Sequence, residues 1–194
     1  MENRRFPASD AHRLDIPERL IWLPPAEVIA ALALRRGETV ADLGAGTGYF
    51  SLPLAHAVGA EGKVYAVDVQ PEMLARLRQK IDGNGPFNIE TVAAEADRTP
   101  LPDSGCTRVF LANVWHEFPD RTAVLREAAR LLAPGGRIAI LDWRPDVERQ
   151  TGPPLDHRLT PQSAADEMAI AGFLPAATAN VGLYSWLLQG EKPQ

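Results

Sequence analysis

The chain has 194 residues, 45% of them hydrophobic and 23% charged, with a formal net charge of -5 at pH 7. That length supports one substantial core, and the negative balance gives no general electrostatic reason to bind nucleic acid or an anionic membrane. The single cysteine, Cys106, excludes an internal disulfide and a cysteine metal cluster and fits a reducing compartment. Glu2 to Arg5 lacks the apolar core of a signal peptide, and no run reaches the length of a membrane-spanning helix, so the expected location is the cytoplasm.

In chain order, residues 1–23 mix basic with apolar side chains and read as an arm or lid, with Trp22 a candidate substrate contact. Residues 24–194 read as one domain. Pro24-Pro25 opens a helix whose face carries Val28, Ile29 and Leu32, and Gly37 is placed to end it. Thr39 to Phe50 then reads as a buried strand entering a glycine turn. A helix over Tyr49 to Val58 follows, and a strand over Lys63 to Asp68 ends in an acidic residue. Pro71 to Ile81 is helical with Met73, Leu74, Leu77 and Ile81 inward, Asn84-Gly85-Pro86 breaks the chain, and a third strand lies around Asn88 to Ala93.

The turn Gly44-Ala-Gly-Thr-Gly48 allows a ligand to approach main chain, and Asp42 stands two residues before it. Nicotinamide dinucleotides use G-x-G-x-x-G and put a pyrophosphate there. A carboxylate at about 5 Å would repel that group by roughly 3 kcal/mol at an effective dielectric near 20. A cationic ligand suits Asp42 better. Asp68, about 20 residues beyond the turn, is placed to accept hydrogen bonds from ribose hydroxyls of either adenosine cofactor.

Asp42, Gly44, Gly46 and Gly48 resemble motif I of the class I S-adenosylmethionine-dependent methyltransferases. Glu95-Ala96-Asp97 with Pro100-Leu-Pro-Asp103 is similar to the acidic stretch after strand three of that family, and Arg130-Leu-Leu-Ala-Pro-Gly-Gly136 to its R-x-L-x-P-G-G motif. The resemblance spans about Glu38 to Trp143. It implies S-adenosyl-L-methionine as cofactor, held by the motif I residues with Thr47, by Asp68, Val69 and Met73, by Glu95 and Ala96 at the adenine, with Asp97 the alternative to Glu95, and by Asn113 at the methionyl end. The implied fold is an α/β, doubly wound, Rossmann-like seven-stranded methyltransferase fold, a mostly parallel sheet with one antiparallel strand. The implied reaction is direct displacement of the sulfonium methyl by a small-molecule acceptor. The spacing is most similar to ubiquinone/menaquinone-type and arsenite-type members, and arsenite methylation would call for several cysteines where this chain has only Cys106.

Cys106 to Ala112 reads as strand four, and the loop after it carries Asn113, His116 and Glu117. His116 is a candidate general base, or else shapes the pocket. Arg121 to Leu132 is an amphipathic helix and Arg137 to Leu141 strand five. The connection from Arg144 to Leu159 is rich in Pro, Gly and charge, and Trp143, Arg144, His157 and Arg158 are candidate substrate contacts with Trp22, His116 and Glu117. Thr160-Pro161 starts a helix through Ala171, and closing strands are expected near Phe173 to Thr178 and Tyr184 to Gln189. No His/Asp/Glu group has metal-ligand spacing, so no metal is expected. Two other readings stay open: a cofactor-binding regulatory or assembly protein without turnover, and a nicotinamide oxidoreductase.

Overall fold

The computed structural model describes residues 5–83, 85–148, 152–176 and 178–194. Residues 1–4 of the expected arm, Asn84 of the expected break, residues 149–151 of the long connection and Ala177 of the expected closing strand lie outside the described residues.

Strand β1, Thr39–Leu43, sits in the middle of the sheet, parallel to β2, Lys63–Asp68, on one side and to β4, Cys106–Ala112, on the other. β3, Ile89–Ala93, flanks β2, and β5, Leu132–Trp143, flanks β4, all parallel. The last strand, β8, Ser185–Glu191, runs antiparallel to β5. The expected strand before it is two short pieces, β6, Leu174–Pro175, and β7, Ala179–Val181, both paired with β8, so the sheet has eight strands and not seven.

The period of two along the central strands explains why they bury both faces. Val40, Phe110, Ala139 and Leu141 join one cluster, while Ala41, Leu43, Val109, Leu111, Ile138 and Ile140 join the other. Helices α2, Pro25–Leu32, and α3, Ser51–Val58, cover the first face together with α4, Pro71–Asp82, whose Leu77 packs on Ala45 and Ala66. Helices α5, Arg121–Leu131, and α6, Pro161–Ile170, cover the second with Leu125, Leu131 and Met168.

Element ends differ from expectation for identifiable reasons. α2 stops at Leu32 because Ala33 turns left-handed (φ 48), and Gly37 instead bends the chain into β1. α3 begins at Ser51, because the glycine turn extends through Phe50. β5 starts at Leu132, earlier than Arg137: Cys106 pairs with Leu132 and Arg108 with Arg137, so Pro134-Gly135-Gly136 forms a bulge inside the ladder rather than a turn before it. The Arg of that motif has its own task. Arg130 binds Glu127, Asp103 and the carbonyls of Thr99 and Leu101, fastening the loop that joins β3 to β4. Before β1 the chain forms a 3-10 segment, Ala8–Leu14, and a short helix α1, Arg19–Trp22.

Candidate functional site

The strand order reverses between β1 and β4, and an open α/β sheet parts its loops at such a point. A cleft of about 410 Å³ lies there, bordered by the carboxyl ends of β1, β2, β4 and β5 and roofed by the segment before α2.

One half of the cleft is built by the glycine turn. The amides of Gly44 and Ala45 both donate to Val67 O, at 2.8 and 2.9 Å, folding the turn across the end of β2. Asp68 receives Gly46 N–H on Oδ2 and Gln70 N–H on Oδ1, each at 2.8 Å, so its carboxylate ties the turn to the start of α4. Burial pushes the Asp68 carboxyl up, while these two amides pull it back. Asp42 is 1% exposed and accepts Ser51 Oγ–H at 2.6 Å. Burial first, opposed by Ser51 and reinforced by Asp68, pushes its carboxyl up to about 7. Asn113 adopts a left-handed φ of 57, its N–H donating to Leu141 O at 2.8 Å. Both polar atoms of its side chain are buried at the cleft without a hydrogen-bond partner.

The other half is aromatic and ionisable. The short 3-10 turn Trp115–Glu117 follows β4 and puts His116 beside Asp142 at the end of β5. His116 N–H donates to Asp142 Oδ2 at 2.9 Å, and its Nδ1 lies 2.9 Å from Oδ1. Trp143 N–H also donates to Asp142, at 2.7 Å. Burial opposes the imidazolium, but the charge and hydrogen bond of Asp142, helped by Glu117, leave His116 raised. Glu117 is buried, which pushes its carboxyl up to about 7 against the pull of His116 and of Phe6 N–H. Trp22 and Trp143 stack at 5.3 Å to wall this half.

The roof is held by polar contacts that the sequence did not signal. Gln70 pairs with main chain as a strand would, accepting Ala8 N–H at 3.0 Å and donating to Phe6 O at 2.9 Å. Phe6 N–H donates to Glu117 at 3.1 Å. Asp15 accepts from Thr47 Oγ1 and Lys80 Nζ, which also binds Thr47 O.

Of the residues singled out from sequence, Asp42, Gly44, Gly46, Thr47, Asp68, Met73 and Asn113 border the cleft. So do Trp22, His116, Glu117, Trp143 and His157. Six others do not. A Cβ at Gly48 would lie 2.3 Å from Leu77 Cδ1, so that glycine admits the approach of α4. Val69 follows Asp68 outside the lining, Ala96 is buried in the core, and Glu95 is exposed and paired with Arg5 at 3.0 Å. Arg144 pairs with Asp146, and Arg158 donates to the carbonyls of Pro153, Arg144 and Val147, bracing the connection after β5. Sequence reasoning passed over Asp142 as a site residue, although an aspartate ending an apolar strand was the same signal that picked out Asp68. Nothing in the local sequence marked Gln70. Among the described residues, no cluster of His, Cys, Asp and Glu could hold a metal ion, and no helix is long and apolar enough to cross a membrane.

A profile of the methyltransferase domain family matches residues 40–136, half of the chain. The chain is 36% identical over 113 residues to an arsenite methyltransferase of Halobacterium salinarum, covering 58% of this chain and 29% of that protein. It is 35% identical over 117 residues to the ubiquinone/menaquinone biosynthesis C-methyltransferase of Escherichia coli, covering 59% of this chain and 47% of that protein. The chain thus spans less than half the length of these curated relatives. A crystal structure of a SAM-dependent methyltransferase from Aquifex aeolicus matches with a TM-score of 0.91 and 33% identity, covering 96% of this chain and 99% of that one. These comparisons give the nicotinamide oxidoreductase and non-catalytic readings no support. With the glycine turn and acidic strand ends arranged around a cleft at the β1/β4 switch point, and with that match along nearly its whole length, the chain belongs to the class I S-adenosylmethionine-dependent methyltransferases.

Proposed function

We propose that the protein transfers a methyl group from S-adenosylmethionine to a small-molecule acceptor. The observation that carries this reading is the Asn113 amide, buried with donor and acceptor both unpaired at the cleft that Asp68 and the glycine turn also border. Buried polar groups are ordinarily satisfied, so the pair calls for a ligand with both kinds of partner, as an amino acid end has. The residues present fit the cofactor. Asn113 and the Gly44–Thr47 main chain would hold the methionyl end, Asp68 the ribose hydroxyls, Met73 the apolar ring face, and Asp42 would favour the positive charge. When bound, the sulfonium supplies the methyl group and takes back the electron pair of the broken carbon–sulfur bond.

The aromatic half would receive the acceptor, and its volume and roof favour a small molecule over a polymer. Residues up to 23 act in this reading as a lid whose polar contacts with Gln70 and Glu117 exclude water during transfer. Arsenic is a poor fit as acceptor. Cys106 is buried at the start of β4, at the opposite end of the strand from the cleft, and burial pushes its thiol up to about 11. A cytoplasmic location remains part of the reading, on the evidence of that single unpaired thiol.

Titration calorimetry with S-adenosylmethionine, S-adenosylhomocysteine and NAD tests the cofactor half, and transfer of a labelled methyl group to a metabolite panel tests the activity. Micromolar binding of the first two and not of NAD is expected. Binding of NAD in preference to S-adenosylmethionine would overturn the proposal.

A further inference from the structure

We infer that Asp142 is a positioning residue that holds His116 as the proton acceptor of the cleft, and that the methyl acceptor is accordingly a molecule whose attacking atom carries a proton, such as a phenol, an enol or an activated C–H. This rests on the methyltransferase reading above and specifies its substrate class.

The geometry is that of an oriented base. Asp142 is 1% exposed and receives three groups: His116 N–H at 2.9 Å, His116 Nδ1 at 2.9 Å and Trp143 N–H at 2.7 Å. A carboxylate at Nδ1 fixes the neutral ring with its proton there, which leaves the lone pair on Nε2. Nε2 lies 3.9 Å from Glu117 Oε1, and His116 and Glu117 both border the cleft. A neutral amide would hold an Nδ1–H as well. Only a carboxylate also favours positive charge on the ring, which a neutral amide would not. The groups facing His116 are Asp142 from β5, Glu117 from its own turn and Arg158 from the connection after β5, with Asp68 of β2 acting on Glu117. The two carboxylates outweigh burial and Arg158, so the imidazolium is favoured once formed.

The chemistry then balances. The acceptor's X–H proton passes to Nε2, and the electron pair of that bond forms the new X–CH3 bond. The single positive charge that enters on the sulfonium ends on the imidazolium beside Asp142, and leaves as a proton to water when the roof opens. A tertiary amine or thioether releases no proton and would leave this base idle.

The test has two parts. Long-range proton–nitrogen NMR on the 15N-histidine-labelled wild-type protein, with His116→Gln for assignment, reads the tautomer without any acceptor. At alkaline pH, where the ring has lost its second proton, the neutral Nδ1–H form is expected, and a neutral ring with its proton on Nε2 would overturn the inference. Labelled methyl transfer is then compared between a panel of phenols and β-diketones and a panel of tertiary amines and thioethers. Transfer to the first panel, with turnover in Asp142→Asn at least 100-fold lower and its acid limb moved to lower pH, supports the inference. Transfer confined to the second panel, or an Asp142→Asn profile unchanged in shape and height, overturns it. If Asp142→Asn does not fold, the tautomer and the acceptor panels still decide. Failure of the wild-type protein to bind S-adenosylmethionine by calorimetry would instead strike the methyltransferase reading, independently of the tautomer.

Discussion

Asp68 shows how one carboxylate serves the fold and the proposed ligand together. Its oxygens already hold Gly46 N–H and Gln70 N–H, so Asp68→Ala should both loosen the turn and remove the ribose acceptor. We expect affinity for S-adenosylmethionine to fall by about 1.5 to 3 kcal/mol, the worth of a charge-assisted hydrogen bond, along with a lower melting temperature. Asp68→Asn keeps an acceptor but loses the charge, and should sit between wild type and alanine. Calorimetry on both variants checks this, and unchanged affinity would remove Asp68 from the cofactor site. Asp42 makes a prediction about pH. With its carboxyl pushed up to about 7 by burial, it is largely protonated at pH 6, and a positive ligand must recover the charged form. Affinity for S-adenosylmethionine should therefore rise between pH 6 and 8, with proton release in that range, while the uncharged thioether product shows a weaker trend. Ser51→Ala, which removes the hydroxyl that holds the carboxyl down, should move the rise to higher pH.

At the level of elements, the glycines of one turn divide their tasks. Gly46 has φ +54, and a Cβ there would meet only Leu14 Cδ1, at 3.4 Å. Gly48 has φ +83, and its Cβ would run into Leu77 of α4. Gly48→Ala should cost about 2 kcal/mol or more in urea unfolding, from backbone strain and overpacking together. Gly46→Ala should cost about 1 kcal/mol. The reverse order would contradict the packing role given to Gly48. Gln70 helps to fasten the roof, because its amide carries two main-chain bonds to the segment before α2. Gln70→Ala should speed dissociation of S-adenosylmethionine several-fold in stopped-flow measurements, with little change in overall stability.

For the whole molecule, the ionisable groups of the cleft set how stability responds to pH. Asp42 is raised from 3.8 to about 7, Glu117 from 4.5 to about 7, and His116 is raised as well. Each keeps a proton in the folded state that the unfolded chain releases. The stability that Asp42 and Glu117 contribute is complete below their unfolded values and is lost between those values and about 7, and that of His116 is lost as pH rises through its raised value. Glu127, lowered to about 2 by Arg130 and Thr99 against the opposing effect of burial, acts in the other direction, its contribution being lost as pH falls from 4.5 toward 2. The ligand-free protein should therefore melt highest near pH 4 and several degrees lower at pH 8, since about 1 kcal/mol moves a domain of this size by roughly 2–4 °C. Glu117→Gln should flatten the decline toward neutral pH. A melting temperature that rises steadily from pH 5 to 8 would show that these groups are not protonated in the fold.

The sequence by itself determined the order of strands and helices and the doubly wound class. It placed the glycine turn after β1 with Asp42 and Asp68 at strand ends, because hydrophobic period, proline and glycine act within a few residues of where they stand. The pairing of His116 with Asp142, the roof's grip on Gln70 and Asp15, the unpaired amide of Asn113 and the closeness of Leu77 to Gly48 were decided only by the tertiary structure. The partners in each case lie far apart in the chain or depend on which way a loop turns. They meet because parallel register brings the ends of β4 and β5 side by side and seats α4 against the turn. Packing, and not local preference, sets that register.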